Sequence, residues 1–255
     1  MMNYKLLLET ALLAGEILLR SGAETYRVED TMNHILKTSK VEHIDALALM
    51  TGITVTLDDP KWDMPLSMVR TVESRSTNMN NIIKVNALSR SYCAGKISLE
   101  EMYEQLKCVK EKLYTRMEFN IATALVTTGF AMMFGGSVLD VLIATVMGIW
   151  LALCIMFSKI KKIDSLLVDL ISCAGIALFT MMFQAKVYPS LDIDIVIVSA
   201  LMPIVPGVAI TNAIRDTLQG DYLSGSARCL EAFLKAASVA IGVGLGMAMG
   251  GRILW

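Results

Sequence analysis

Between Pro203 and Arg228 the sequence concentrates groups that could bind a small solute. Thr211 and Asn212 offer hydrogen bonds, Arg215 and Arg228 offer planar forks that fit a carboxylate, and Asp216 can orient an arginine. These residues follow Pro203-Ile-Val-Pro206-Gly207, which interrupts an apolar run long enough to cross a bilayer. Proline removes a backbone donor and Gly207 weakens a helix, so the run is expected to kink or break there. Irregular backbone at membrane depth survives only where protein or a wet cavity covers it. Pro206, Gly207, Thr211, Asn212, Arg215, Asp216 and Arg228 therefore form the candidate solute site. The competing reading is an ordinary loop in which Arg215, Asp216 and Arg228 pair with one another.

Other ionisable residues near apolar faces need a reason, because a charge inside a span costs about 2.5 to 3.5 kcal/mol. Asp169 is either interfacial or a proton-coupling carboxylate. Asp140, beside Gly135-Gly136, is expected to reach the outer interface, and Glu231 and Lys235 to form an i,i+4 pair. Residues 21 to 29, SGAETYRVE, read as a capping box (Ser21 with Glu24) plus a surface pair of Arg27 with Glu24 or Glu29. The alternative makes Glu24 and Arg27 a cytoplasmic gate. The two histidines, His34 and His43, lack the neighbours of a metal site, and no GxSxG, HExxH, P-loop or GxGxxG is present. No enzyme chemistry, metal or cofactor is expected, and no basic patch argues for nucleic acid. Five cysteines without a CxxC read as reduced packing residues.

The elements that position these residues follow from composition and period. The 255-residue chain has a mean hydropathy of +0.56 and 55% apolar residues, and residues 119 to 157 carry one charge, Asp140. A membrane protein is expected, with an N-terminal cytoplasmic α+β domain (1–117) followed by an all-α bundle of about five transmembrane helices (118–255). In the first part, residues 3–20 form a helix with Leu8, Leu12, Gly15 and Leu19 inward and Glu16 away from them. A second helix carries Val28, Met32, Ile35 and Leu36. Residues 41–57 are β-like, Asp58-Asp59-Pro60 turns, and 66–72 is a partner strand. A helix over 76–94 stops at Gly95. Ser98-Leu-Glu-Glu101 caps another, with Met102, Leu106, Val109 and Leu113 buried and a basic end at Lys107, Lys110, Lys112 and Arg116.

Spans are expected over about 119–134, 138–157, 166–185, 193–214 and 229–250. Arg116, Lys159, Lys161, Lys162, Arg215 and Arg228 then fall on one side, which puts the N-terminus in the cytoplasm and the C-terminus outside. Ser238, Gly242, Gly246 and Gly250, and beside them Ala236, Ala240, Gly244 and Ala248, make two lines of small residues suited to close helix packing, within the chain or with another subunit. An odd number of spans leaves a repeat-based transport path to be completed by another copy or another protein, so an oligomer is expected.

SGAETYRVEDTM at 21–32, TGITVTL, NALSR at 86–90 and PGVAITNAIRDTLQGDYLSGSAR at 206–228 together resemble the threonine/serine exporter family of bacterial membrane proteins. The resemblance covers essentially the whole chain, which looks like the larger, YjjP-like subunit of the split form. It implies export of a small metabolite, threonine, serine or a succinate-like dicarboxylate, without an ATP-binding module; the mechanism expected here is secondary, proton-motive-force-driven export of the carboxylated solute across the inner membrane. The resemblance also implies a separate small YjjB-like membrane subunit as partner. The reading from another class is a membrane-anchored cytoplasmic enzyme or sensor using residues 1–117.

Overall fold

The computed structural model describes residues 3–73, 75–109, 115–161 and 163–254. Along the chain run α1 (Tyr4–Arg20), α2 (Thr25–Lys37), β1 (His43–Leu49), β2 (Gly52–Asp58), β3 (Leu66–Thr71), α3 (Met79–Cys93) and α4 (Leu99–Cys108). They are followed by α5 (Arg116–Met133), α6 (Val138–Lys161), α7 (Ser165–Lys186), α8 (Ile193–Leu201), a 3-10 turn (Met202–Ile204), α9 (Gly207–Leu218) and α10 (Tyr222–Leu254). Lys110, Lys112, Leu113 and Lys162 lie outside the described residues, as does the Arg116 side chain. Two compact units emerge: Met1–Glu111 with Gly207–Leu230, and Lys112–Pro206 with Glu231–Trp255. The segment carrying the candidate solute site thus belongs to the same unit as the N-terminal elements.

In the first unit, α1 runs through the core, with Leu7, Leu8, Leu12, Leu18 and Leu19 at most 2% exposed. Met32, Ile35 and Leu36 of α2, Met102 and Leu106 of α4, and the inward face of β2 (Ile53, Val55, Leu57) pack in the same cluster. Gly15 is a point of close approach, since a Cβ there would lie 2.5 Å from Met32 Sδ and 3.2 Å from Ile53 Cδ1. The β-like stretch is a hairpin, β1 and β2 joined through Met50-Thr51, and β3 completes an antiparallel meander in the order β1-β2-β3.

Two expectations about this unit fail for identifiable reasons. Because α1 is buried on nearly every side, Glu16 lies inside rather than away from the core, with its oxygens 2.8 Å from Arg20 and 2.8 Å from Arg70. A buried carboxylate needs such partners. The Ser21/Glu24 capping box does not form either. Ser21 ends α1, Gly22 adopts φ +81°, and the Gly22 and Ala23 N–H groups bond the carbonyls of Leu19 and Leu18 at 3.2 and 3.0 Å. That is a Schellman stop, so the serine and glycine close one helix instead of opening the next. Glu24 is the N-cap of α2 by position and makes no side-chain cap bond. The box expected at Ser98 and Glu101 does form, and Gly95 ends α3 with φ +71°.

In the second unit α5 and α6 form a hairpin through Gly135-Gly136. Thr128 and Thr145 hydroxyls meet at 2.7 Å across it. Trp150 of α6 donates to the Ser172 carbonyl of α7 at 3.2 Å. Asp140, expected at an outer interface, is buried within the unit: at 4% exposure it accepts the N–H groups of Ser137 and Asp192 at 2.8 and 3.0 Å, tying the starts of α6 and α8.

Among the described residues three helices are long and apolar enough to cross a membrane: Val138–Lys161, Ser165–Lys186 and Tyr222–Ile253. A fourth span exists if the broken pair Ile193–Ile204 and Gly207–Leu218 counts as one. The expected first span, α5, falls short of the five because Arg116, Glu118 and Asn120 occupy its first two turns and three threonines follow. The break expected at Pro203 to Gly207 is real: helix ends at Ile204 and resumes at Gly207.

Candidate functional site

The polar residues of α9 and the start of α10 close on the loop between α1 and α2. On α9 the buried residues are Asn212, Ala213 and Asp216, which share a face at i, i+1 and i+4. The Asn212 amide donates to the Gly22 carbonyl at 2.9 Å. Asp216, fully buried, accepts the Thr25 N–H at 3.1 Å and its hydroxyl at 3.2 Å. Arg228, 6% exposed on the second turn of α10, places Nε 2.8 Å from Asp216 and donates Nη2 to the Ala23 carbonyl at 2.8 Å. Three side chains thus hold the backbone of residues 22 to 25.

The hairpin that aims them depends on glycine. Gly220 (φ +91°) ends α9, with the Asp221 N–H bonded to the Asp216 carbonyl at 3.0 Å. Asp221 then caps α10 through Ser224 N–H at 3.1 Å. At Gly225 a Cβ would sit 3.0 Å from the Thr217 nitrogen and 3.2 Å from the Ala213 carbonyl, so a side chain there would push α10, and Arg228 with it, off α9.

The cluster meets solvent at the two arginines that flank Glu24. Its carboxylate is buried between Arg215, which hydrogen-bonds one oxygen, and Arg27, whose Nε lies 3.0 Å from the other. The side chains of Arg215 and Arg27 are 54% and 56% exposed. Burial opposes ionisation of Glu24, but hydrogen bonds from Arg215 and Tyr26 and the charges of Arg27 and Arg215 outweigh it and hold the carboxyl below the ordinary glutamate value. Nearby, burial pushes the Glu29 carboxyl up, although it accepts the Ala48 N–H of β1 at 2.9 Å, and the charges of Asp221 and Asp216 add to the rise.

The sign of the Glu24 effect is set by its lowered value. Its stabilisation is fully present above the unfolded-state value and disappears as pH falls through the lower folded-state value. Below about pH 4.5, the ordinary value, the thermal midpoint of the full chain should therefore fall more steeply for wild type than for Glu24→Gln. Parallel acid limbs in the two melting series would remove the Glu24 pairing from the account.

Of the expected site residues, Glu24, Arg27, Asn212, Arg215, Asp216 and Arg228 come together. Thr211 does not join them: it is exposed and its hydroxyl bonds the Gly207 carbonyl of its own helix at 2.9 Å. Pro206 and Gly207 form the break and make no bond to the cluster among the described residues. Asp169 belongs to the other unit, where Lys235, expected to pair with Glu231, lies 3.8 Å from it. Thr25 and the Gly22 and Ala23 carbonyls were not anticipated.

The chain is 23% identical over 243 residues to the protein of Mycobacterium tuberculosis named probable threonine/serine exporter, covering 92% of this chain and 45% of that protein. It therefore spans less than half the length of that relative. No solved structure matches it. The model of the threonine/serine exporter family matches residues 9–250, nearly the full length, and the chain belongs to that family.

Proposed function

We propose that the chain is a subunit of a secondary exporter in the bacterial inner membrane, in which a small carboxylated metabolite exchanges with the Glu24 carboxylate on Arg215. One observation carries the reading: an internal carboxylate is already seated between Arg215 and Arg27, and more than half of the Arg215 side chain is open to solvent. A solute carboxylate taking that place keeps the arginines paired, which avoids the cost of a stripped charge. Glu24, tethered to the chain, returns when the solute leaves.

The chemistry favours threonine or serine over a succinate-like dicarboxylate. Once displaced, Glu24 lies next to the solute, where an α-ammonium gives it a partner and a second carboxylate repels it. Asn212, Asp216 and Arg228 act by fixing the loop that carries Glu24. The family and the three or four apolar helices support a multi-pass exporter. On this reading residues 1–117 are cytoplasmic, the site faces inward, and the C-terminus is outside. On the same reading the chain's partner is a small YjjB-like membrane subunit.

The test is efflux from vesicles containing both subunits and preloaded with threonine, serine or succinate. Removing a charged hydrogen bond costs about 1.5–3 kcal/mol, so Arg215→Ala should reduce threonine efflux by roughly ten- to a hundredfold at low solute. Glu24→Gln, which removes the competitor, should lower the half-saturating concentration. Wild-type export by a correctly inserted and assembled Arg215→Ala would end the proposal for this site. Faster export of succinate than of threonine would reverse the substrate preference.

A further inference from the structure

Asp169 is a charged group that the exchange at Arg215 leaves unused. It stands on the second turn of α7, in a helix apolar enough to cross a membrane, and is 4% exposed. One oxygen, Oδ2, is buried and accepts no hydrogen bond among the described residues. It faces the Lys235 ammonium of α10 at 3.8 Å, within ion-pair range but beyond hydrogen-bond range. The pair is unequal, because the Lys235 side chain is 36% exposed and the Asp169 side chain 6%.

That inequality decides what happens if the two groups separate. Lys235 can turn its ammonium to water along its flexible stem. Asp169 has no such route, and an unpaired carboxylate in an apolar span is costly enough that it takes up a proton instead. Asp164, the N-cap of its own helix, also acts on it; Cys173 stands one turn on and interacts with both Asp169 and Cys154 of α6. A metal ion is a poor alternative, since it would meet an ammonium, and no set of three acidic, histidine or cysteine side chains is assembled for it among the described residues.

Beyond the pair the two helices meet through small residues. Gly242, Gly246 and Gly250 of α10 lie against Leu170, Ala174 and Met181 of α7, so the helices run in the same direction with glycine facing backbone along two of these contacts. Such a seam has few interlocking side chains to hold the register beside the ion pair.

We propose that Asp169 is the proton-binding carboxylate of the membrane helices, and that its protonation releases Lys235 to water. A proton from solvent adds to the carboxylate, the ammonium keeps its own protons, and the pair passes from net zero to one positive charge. This rests on the exporter reading for what the proton drives, and on the α7–α10 geometry for where it binds.

Infrared pH-difference spectra of the full chain in lipid vesicles test it with the proton as the only ligand. Among the protonated-carboxyl bands that appear on acidification, one component should be missing from Asp169→Asn and have its midpoint displaced by about one pH unit or more in Lys235→Gln. If Asp169→Asn does not fold, Asp169→Glu keeps the carboxyl and should move the band in frequency. A band unchanged in every variant, or a midpoint indifferent to Lys235, overturns the assignment and leaves a helix-joining ion pair. Because no solute is present, the result is independent of the efflux test at Arg215.

Discussion

Asp216→Ala is expected to destabilise the first unit by about 3–5 kcal/mol, the cost of leaving a buried charge without its partner. Arg228 is 6% exposed and Asp216 fully buried, so water cannot replace the lost carboxylate. The same change strips an acceptor from the Thr25 N–H and hydroxyl. Asp216→Asn should cost less, because the amide oxygen still accepts one of these bonds. Asp216→Ala with Arg228→Met should recover much of the loss, since removing both charges of a buried pair is often nearly neutral. Thermal unfolding of the full chain in detergent measures the order, and hydrogen exchange at residues 22–25 locates it. A single variant Asp216→Ala no less stable than the double variant would show that the pair is not what holds the loop.

This cluster marks the limit of what the sequence made legible. The break at Pro206 could be read because proline and glycine act locally. The arginine and carboxylate types in 211–228 could be read as one polar face, and part of the competing reading also holds, since Arg228 pairs with Asp216. The role of SGAET could not. Ser-Gly is a helix stop and Ser-x-x-Glu a helix start; the same four residues satisfy both patterns, and the contacts that accompany the outcome come from Asn212, Arg215 and Asp216, about 190 positions away. Thr25 had the only available signal, a hydroxyl next to Glu24 in a charge-dense segment. Glu16 was misplaced for the same reason, because its second partner is Arg70 on a strand. Lys235 had a sufficient local partner in Glu231, which hid Asp169. In the membrane helices the two lines of small residues looked equivalent. The fold separates them: Gly242, Gly246 and Gly250 are buried, whereas Ala236, Ala240, Gly244 and Ala248 are exposed.

Gly246→Leu is expected to disrupt the second unit more than a surface change of the same size. A Cβ at Gly246 would collide with the Ala174 carbonyl oxygen and lie 2.9 Å from the Ala177 Cβ and 3.0 Å from the Ala174 carbonyl carbon. These are backbone and a methyl, so no rotamer change relieves the clash and α10 must move off α7. Overpacking of a well-filled core costs about 1–3 kcal/mol, and a leucine at this seam belongs at the upper end. Gly246→Ala should already be measurable. Gly244 is the control: nothing lies within 4 Å of its added Cβ, and exchanging a helical glycine for alanine removes about 0.5–1 kcal/mol of backbone entropy cost. Gly244→Ala should therefore be neutral or stabilising in a heat-and-sediment assay of detergent-solubilised chain. If both alanines lowered the midpoint equally, the two faces of α10 would not differ as the α7–α10 seam requires. If neither Gly246→Ala nor Gly246→Leu lowered it, that seam would not exist in the membrane.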